Sequence, residues 1–136
     1  MNLVDTSGWI EYLFAGPNAL FFSEPIEDTG RLVVPVICLY EVFKKVNAAA
    51  DEARALQVVA QMKQGQVVDV TEDIALKAAL ISLRHGLPMA DSLIFATAKA
   101  RGALLWTQDE HFKHLPGVRF RECRTSAFKP SGRTRR

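Results

Sequence analysis

Short apolar runs alternate along the chain with longer segments in which apolar residues recur every three to four positions. A short apolar run bounded by turn residues is typical of a buried strand, and the longer period is typical of a helix packed on a core. The runs predict strands over residues 3–4, 32–34, 67–70 and 103–106, with an edge strand over 118–120.

The periodic segments between these runs predict helices. Asp51 precedes one of them as a capping residue, Gly65 ends it, and Gly102 ends a later one. Strands that alternate with helices imply right-handed crossovers, and therefore an α/β fold in three α/β/α layers with a central parallel sheet of four to five strands. The predicted helices cover residues 9–14, 20–26, 36–46, 52–64, 71–84 and 89–101, with a single helical turn over 110–115.

The composition of the chain predicts a domain boundary near the C-terminus. The chain has 136 residues, which is enough for one domain with its own core, and a net charge of only +2. Seven of the last eighteen residues are Lys or Arg, against one Glu. We therefore predict a domain over residues 1–122 and a flexible basic tail over 123–136. The tail has two interpretations, contact with an acidic partner such as nucleic acid or simple solubilisation.

The cysteine content and the hydropathy indicate in which cellular compartment the protein is expected. Cys38 and Cys123 are too few to form a disulfide framework, and Cys38 lies in an apolar run as a small hydrophobic residue. No signal peptide is recognisable, and no apolar run approaches the roughly 20 residues that span a bilayer. We expect a cytoplasmic protein that does not enter the membrane.

Four acidic residues are candidates for one site. Asp5 and Asp109 follow strands, and ligands of parallel α/β sheets bind outside the carboxyl ends of the strands. Asp91 lies in the first turn of the helix over 89–101, which is apolar on nearly every side, so its carboxylate should face a cleft. Glu41 lies among apolar helical residues, where a charge is rarely left unpaired.

Each acid also has a simpler interpretation. Asp5 and Asp109 could cap the helices that follow them, and Asp91 could complement a helix dipole. Glu41 could pair with Lys45, four positions later. These explanations are independent of one another, whereas a shared site accounts for all of these positions together.

A cluster of carboxylates requires a cation, because like charges otherwise raise one another's pKa. Oxygen ligands with open positions suit Mg²⁺, with Mn²⁺ as the alternative. His111 and His114 have no further His or Cys near them in the sequence, so we expect surface or phosphate contacts rather than zinc ligands. A glycine-rich phosphate loop is absent from the sequence, which argues against hydrolysis of nucleoside triphosphates.

The order and spacing of four short motifs resemble the PIN domain, and within it the VapC toxins of VapBC toxin–antitoxin pairs. The resemblance covers roughly residues 2–121. One departure concerns His111, which stands where some members carry a further acid and so leaves the ligands of a second metal open. The motifs are LVDTS at 3–7, PVICLYEV at 35–42, ADSLI at 90–94 and TQDEHF at 107–112.

The resemblance implies a metal-dependent endoribonuclease that is the toxin of a toxin–antitoxin pair. Asp5 and Asp91 would bind the primary metal, and Glu41 and Asp109 would share a second metal or the attacking water. The implied partners are RNA, a small antitoxin that inserts a basic side chain among the acids, and a second copy of the chain.

Two further groups of side chains complete the predicted site. Hydroxyl groups near the acids would orient the carboxylates, and basic residues would contact the RNA backbone. The hydroxyl residues are Thr6, Ser7, Ser92 and Thr107. The basic residues, with His85, are Lys44, Lys45, Arg84, Lys99 and Arg101.

Other functions remain open from the residues. A PIN-domain nuclease that processes RNA without being a toxin would carry the same acids, and a metal-dependent phosphatase of small phosphoesters would use similar chemistry. A phosphatase of the haloacid dehalogenase type needs Asp-x-Asp after its first strand, and Ser7 occupies the second of those positions. A receiver domain needs paired acids there and a lysine after the last strand.

Overall fold

The computed structural model describes residues 1–124, so most of the tail predicted over 123–136 lies outside the described residues. The strands are β1 (Asn2–Val4), β2 (Leu32–Pro35), β3 (Gln66–Val68), β4 (Leu104–Thr107) and β5 (Val118–Phe120). The helices are α1 (Thr6–Leu13), α2 (Ala19–Glu27), α3 (Val36–Ala49), α4 (Glu52–Met62), α5 (Glu72–His85) and α6 (Met89–Ala100). Two 3₁₀ helices cover Thr29–Arg31 and Glu110–Phe112.

The strands form one parallel sheet in the order β3-β2-β1-β4-β5. β1 is the central strand, and Leu3 pairs with Val33 on one side and Leu105 on the other. Helices flank this sheet, which confirms the predicted α/β/α architecture with five strands. The carboxyl ends of β1 and β4 consequently lie side by side.

Several predicted elements are shorter than expected, among them α4, which ends at Met62 rather than at residue 64. β3 ends at Val68 rather than continuing to Val70, because Val68 pairs with Pro35 and β2 ends there. The predicted helical turn over 110–115 is the 3₁₀ helix Glu110–Phe112. Phe112 is fully buried and fixes this short helix to the core, close to the end of β4.

The junction between β1 and α1 is unusually tight. Asp5 caps α1 by accepting a hydrogen bond from the Gly8 backbone N–H at 3.0 Å. A Cβ atom at Gly8 would lie 2.6 Å from the side chains of Val4 and Phe22. Only a glycine therefore lets α1 approach the sheet so closely, and this approach fixes the Asp5 carboxylate at the carboxyl end of β1.

The helix α6 is buried as its sequence predicts. Residues 94–98 are each at most 3% exposed, while Asp91 in the first turn is half-buried. Cys38, on α3, is also fully buried. None of the described helices combines the length and the apolar character needed to cross a membrane.

Candidate metal centre

The four candidate acids line one cleft of about 400 Å³ at the carboxyl ends of β1 and β4. Asp5 directly follows β1, and Asp109 lies two residues after β4. Glu41 projects from α3, and Asp91 from the first turn of α6. The sheet topology thus brings together acids that are far apart in the sequence.

Asp5 is the most buried of these acids, at 2% exposure. Thr107 Oγ1 donates a hydrogen bond to Asp5 Oδ2 at 2.7 Å, and Ser7 Oγ donates to Oδ1 at 2.8 Å. Burial raises the pKa of Asp5 to about 7, and the hydrogen bonds from Thr107, Gly8 and Ser7 offset this effect only in part. A cation in the cleft would favour the charged form of this carboxyl group.

Asp91 and Asp109 converge on one imidazole. His111 Nδ1 lies 2.7 Å from Asp91 Oδ2 and 3.3 Å from Asp109 Oδ1. Burial, and then the charge of Asp109, raises the pKa of Asp91, whereas the hydrogen bond with His111 lowers it. The same hydrogen bond is the main cause that raises the pKa of His111.

Glu41 is held by a hydroxyl group rather than by the lysine four positions later. Thr6 Oγ1 donates a short hydrogen bond to Glu41 Oε1. Lys45 also lines this cleft, and it is the one basic residue among the described residues that do so. Acidic side chains therefore clearly outnumber basic ones in the cleft.

Three of the predicted hydroxyl groups contact the carboxylates, and one does not. Thr6, Ser7 and Thr107 donate to Glu41 or Asp5, as described above. The expectation for Ser92 is wrong, because its hydroxyl donates to the backbone carbonyls of Leu87 and Pro88. A serine in the first turn of a helix readily bonds the backbone before it, and here that contact fixes the start of α6.

The predicted RNA contacts do not form one surface. Lys45 lines the acidic cleft, and Lys44 lies in an adjoining groove with its ammonium 5.7 Å from the Tyr40 ring. Arg84 and Lys99 line a separate groove between α5 and α6. His85, the last residue of α5, and Arg101, which follows α6, are both exposed and are not among the residues lining the acidic cleft.

Sequence reasoning missed Glu11 and Gln108, which also line the cleft. Gln108 Nε2 donates to Glu11 Oε1 at 3.1 Å, and the buried Asn18 donates to Gln108 Oε1 at 2.9 Å. The available signal was helical spacing, since Glu11 lies four positions after Ser7 on the same face of α1. This network ties α1 to the segment that follows β4.

Sequence reasoning placed His111 at the surface, and its side chain is 56% exposed, but the contact of its ring with the acids was missed. Its imidazole faces the acids, and one ligand atom from each of Asp91, Asp109 and His111 lies within 4.8 Å of the others. Such a separation suits three ligands of a single divalent ion. Carboxylate oxygens with one imidazole nitrogen form a donor set suited to Mn²⁺ and related ions as well as Mg²⁺, so these residues fit a metal.

The sequence and the fold both match known proteins. The PIN domain family matches residues 3–118. A toxin–antitoxin complex from Klebsiella pneumoniae contains a similar chain, with a TM-score of 0.71 and 23% identity over 87% of this chain and 95% of that one. The DNA-bound VapBC of Salmonella typhimurium gives a TM-score of 0.68 at 21% identity, covering 90% and 98%.

A third solved structure is the VapC20 toxin of Mycobacterium tuberculosis, described as cleaving the sarcin–ricin loop. Its TM-score is 0.69 at 18% identity, covering 85% of this chain and 95% of that one. The TM-scores establish a shared fold, and at identities below 25% the similarity establishes the fold alone. Among curated protein sequences, none matches the chain.

Proposed function

The chain belongs to the PIN domain family, a family of nucleases, and on that premise we propose that it is a metal-dependent endoribonuclease and the toxin of a toxin–antitoxin pair. The observation that carries the proposal is the convergence of Asp5, Glu41, Asp91 and Asp109 on one open cleft. An excess of carboxylates beside a single lysine favours a divalent cation, for which we propose Mg²⁺ or Mn²⁺.

The residues of the cleft have separate tasks in this proposal. Asp91 and Asp109 would hold the metal, and Asp5, whose carboxylate is fixed by Thr107, would complete the site. Glu41, oriented by Thr6, accepts a proton from the attacking water. A divalent ion held by these residues would supply a water of lowered pKa and would stabilise charge on the phosphodiester oxygens. Hydrolysis would leave a 5′-phosphate and a 3′-hydroxyl.

RNA is the proposed substrate. Lys45 on the wall of the cleft and Lys44 in the adjoining groove place positive charge beside the acids, where the phosphates flanking the scissile bond would lie. The VapC20 neighbour is described as cleaving the sarcin–ricin loop, and this description supports the proposal of RNA as the substrate.

The test of this activity uses the purified full chain and a structured RNA. We expect cleavage with Mg²⁺ or Mn²⁺, none in excess chelator, and new ends that carry a 5′-phosphate. Release of phosphate from a small phosphoester without cleavage of RNA would instead identify a phosphatase. Cleavage that persists in chelator would contradict the metal-dependent mechanism.

An antitoxin is the proposed protein partner, because several structural neighbours are toxin–antitoxin complexes. Trp9 and Phe22 are fully in the core and are not available for docking. Leu20 on α2, at 87% exposure, and the half-exposed Phe14, which directly follows α1, instead present apolar surface. A partner bound there could direct an arginine to the carboxylates of the cleft.

Growth measurements separate a toxin from an RNA-processing nuclease. Induced expression of this chain alone should arrest growth, and co-expression of a small reading frame immediately upstream should restore it. Normal growth at high expression of an enzyme that is active in vitro would favour the processing nuclease.

Self-association is proposed from an apolar face on α5. Leu76, Leu80 and Leu83 are exposed at helical spacing, and Met89 adjoins them. An apolar groove of about 610 Å³ between α5 and α6 has Leu83, Met89 and Leu93 on its walls. Contiguous apolar surface of this kind is typical of an interface, and we propose that a second copy of the chain covers it.

The substitution Leu83→Asp should weaken this dimer by roughly a hundredfold or more, because it places a charge in an apolar interface. Sedimentation equilibrium at micromolar concentration should show a dimer for the wild type and a monomer for the variant. Leu56→Asp, at an exposed leucine on α4, is the matched control and should remain dimeric. A monomeric wild type, or a dimeric Leu83→Asp variant, would contradict the proposal.

A further inference from the structure

The side chain of His111 is exposed, but one of its ring nitrogens contacts two of the clustered acids. Its ring is 56% exposed at the mouth of the cleft, yet one nitrogen, Nδ1, faces both Asp91 and Asp109. The backbone also fixes the residue, because the His111 N–H donates to Asp109 Oδ1 at 2.9 Å. The imidazole is therefore held against the acids by its own main chain.

The distances match those between neighbouring ligands of one metal ion. Two ligands that coordinate a divalent ion at about 2.1 Å with a right angle between them lie about 3 Å apart. Nδ1 of His111 lies 2.7 Å from Asp91 Oδ2 and 3.3 Å from Asp109 Oδ1. Both distances lie within a few tenths of an ångström of that ligand-to-ligand value.

The identity of the third donor determines which ion the site prefers. Mg²⁺ is bound through oxygen atoms and loses its water reluctantly, whereas imidazole suits ions of the first transition series. A carboxylate in place of His111 would give an all-oxygen set. An imidazole there favours a transition ion over Mg²⁺, and Mn²⁺ accepts both donor types.

We propose that His111 coordinates the catalytic metal directly through Nδ1, together with Asp91 and Asp109, and that it makes the site prefer Mn²⁺ to Mg²⁺. This inference rests on the proposed metal-dependent function and assigns a ligand and an ion to the same site. The competing explanation is a surface ion pair, in which His111 only neutralises the two carboxylates and leaves the ion to oxygen ligands.

The most direct test detects the nitrogen on the metal without any RNA. Electron spin echo modulation of Mn²⁺ bound to the wild-type protein should show coupling to a directly bound ¹⁴N nucleus. His111→Asp, which offers an oxygen donor in the same position, should bind Mn²⁺ without this coupling. His114→Asp, the same charge change three residues later at an exposed position, should keep it.

Equilibrium binding gives a second readout. Titration calorimetry should show that the wild type binds Mn²⁺ at least tenfold more tightly than Mg²⁺, and that His111→Asp loses at least tenfold of this preference. His114→Asp should keep the wild-type ratio. Circular dichroism melts of both variants confirm that they fold, which is expected because both positions are exposed.

Two results would overturn the inference, and they differ in what else they affect. Wild-type protein that binds Mn²⁺ without nitrogen coupling, and with a preference unchanged in His111→Asp, would identify the ion pair and leave the nuclease proposal intact. Wild-type protein that binds neither ion would overturn both proposals.

Discussion

Asp91→Asn should lower the rate of RNA cleavage by at least about 10²–10³-fold at saturating Mg²⁺ or Mn²⁺. Asparagine has nearly the same shape but lacks the charge that would hold the proposed ion and that pairs with His111. Removal of one preorganised electrostatic group from an active site commonly costs a factor of this size. The measurement is cleavage of a labelled structured RNA by the purified variant under single-turnover conditions.

Asp73→Asn is the matched control for this variant. Asp73 also lies in the first turn of a helix, α5, but it is exposed and pairs with Lys77 at 3.1 Å, away from the residues that line the cleft. Its substitution removes a similar interaction with the helix dipole and should leave cleavage within about twofold of wild type. A folded Asp91→Asn protein with wild-type activity would show that the acidic cleft is not the catalytic centre.

Replacement of a helix-capping residue usually lowers the stability of a protein, but Asp5→Asn should not lower it in chelator. In chelator at pH 8 the variant should be at least as stable as the wild type, because the native wild type then holds a buried anion. An acid whose pKa rises to about 7 on folding contributes stability at low pH and loses it as the pH rises through that value. The advantage of the variant should therefore grow from about pH 4 to pH 8.

Addition of metal should change this order. An ion that binds only the native protein stabilises it by about 2.7 kcal/mol at a hundredfold excess over the Kd. For a domain of this size that corresponds to an increase of about 10 °C in Tm. The wild type should show this increase, and Asp5→Asn should show less than half of it because it lacks one proposed ligand. Thermal melts at several pH values, with chelator and with Mn²⁺, provide the comparison.

The control for Asp5→Asn is Asp51→Asn. Asp51 caps α4 by accepting a hydrogen bond from the Arg54 backbone N–H at 2.8 Å, and it is exposed. Asparagine caps almost as well as aspartate, so this variant should melt near the wild type and gain the full increase with metal. An Asp5→Asn protein that behaves in the same way would identify Asp5 as a helix cap without a role at the metal.

The main elements and the acids of the site could be predicted because local patterns determine them. Short apolar runs identified the strands, and the position of Asp5 and Asp109 after strands placed both at one edge of the sheet. The all-round burial of α6 followed from its composition, and it directed Asp91 outward. These inferences need only the periodicity of each element and the geometry of parallel sheets.

The remaining details depend on contacts between elements that periodicity does not encode. The contact of His111 with Asp91 requires the 3₁₀ helix Glu110–Phe112 to lie against the first turn of α6, and the two positions are 20 residues apart. Arg84 and Lys99 were predicted near RNA, but the orientations of α5 and α6 place both in a separate groove. The spacing of residues in the sequence shows that a charged residue lies on a helix. It does not show which neighbouring element that side of the helix contacts.

The central position of β1 has a consequence for synthesis on the ribosome. The first strand of the chain has β4 as a neighbour, and Thr107, which orients Asp5, lies 102 positions later. At about 5–20 residues per second, the ribosome needs roughly 5–20 s to reach Thr107 after it has made Asp5. A nascent chain therefore lacks the pairing of β1 with β4, and also Asp109, a proposed metal ligand, until translation of the domain is nearly finished. If the protein cleaves RNA, the nascent chain cannot cleave the RNA of the ribosome that makes it until this domain is almost complete.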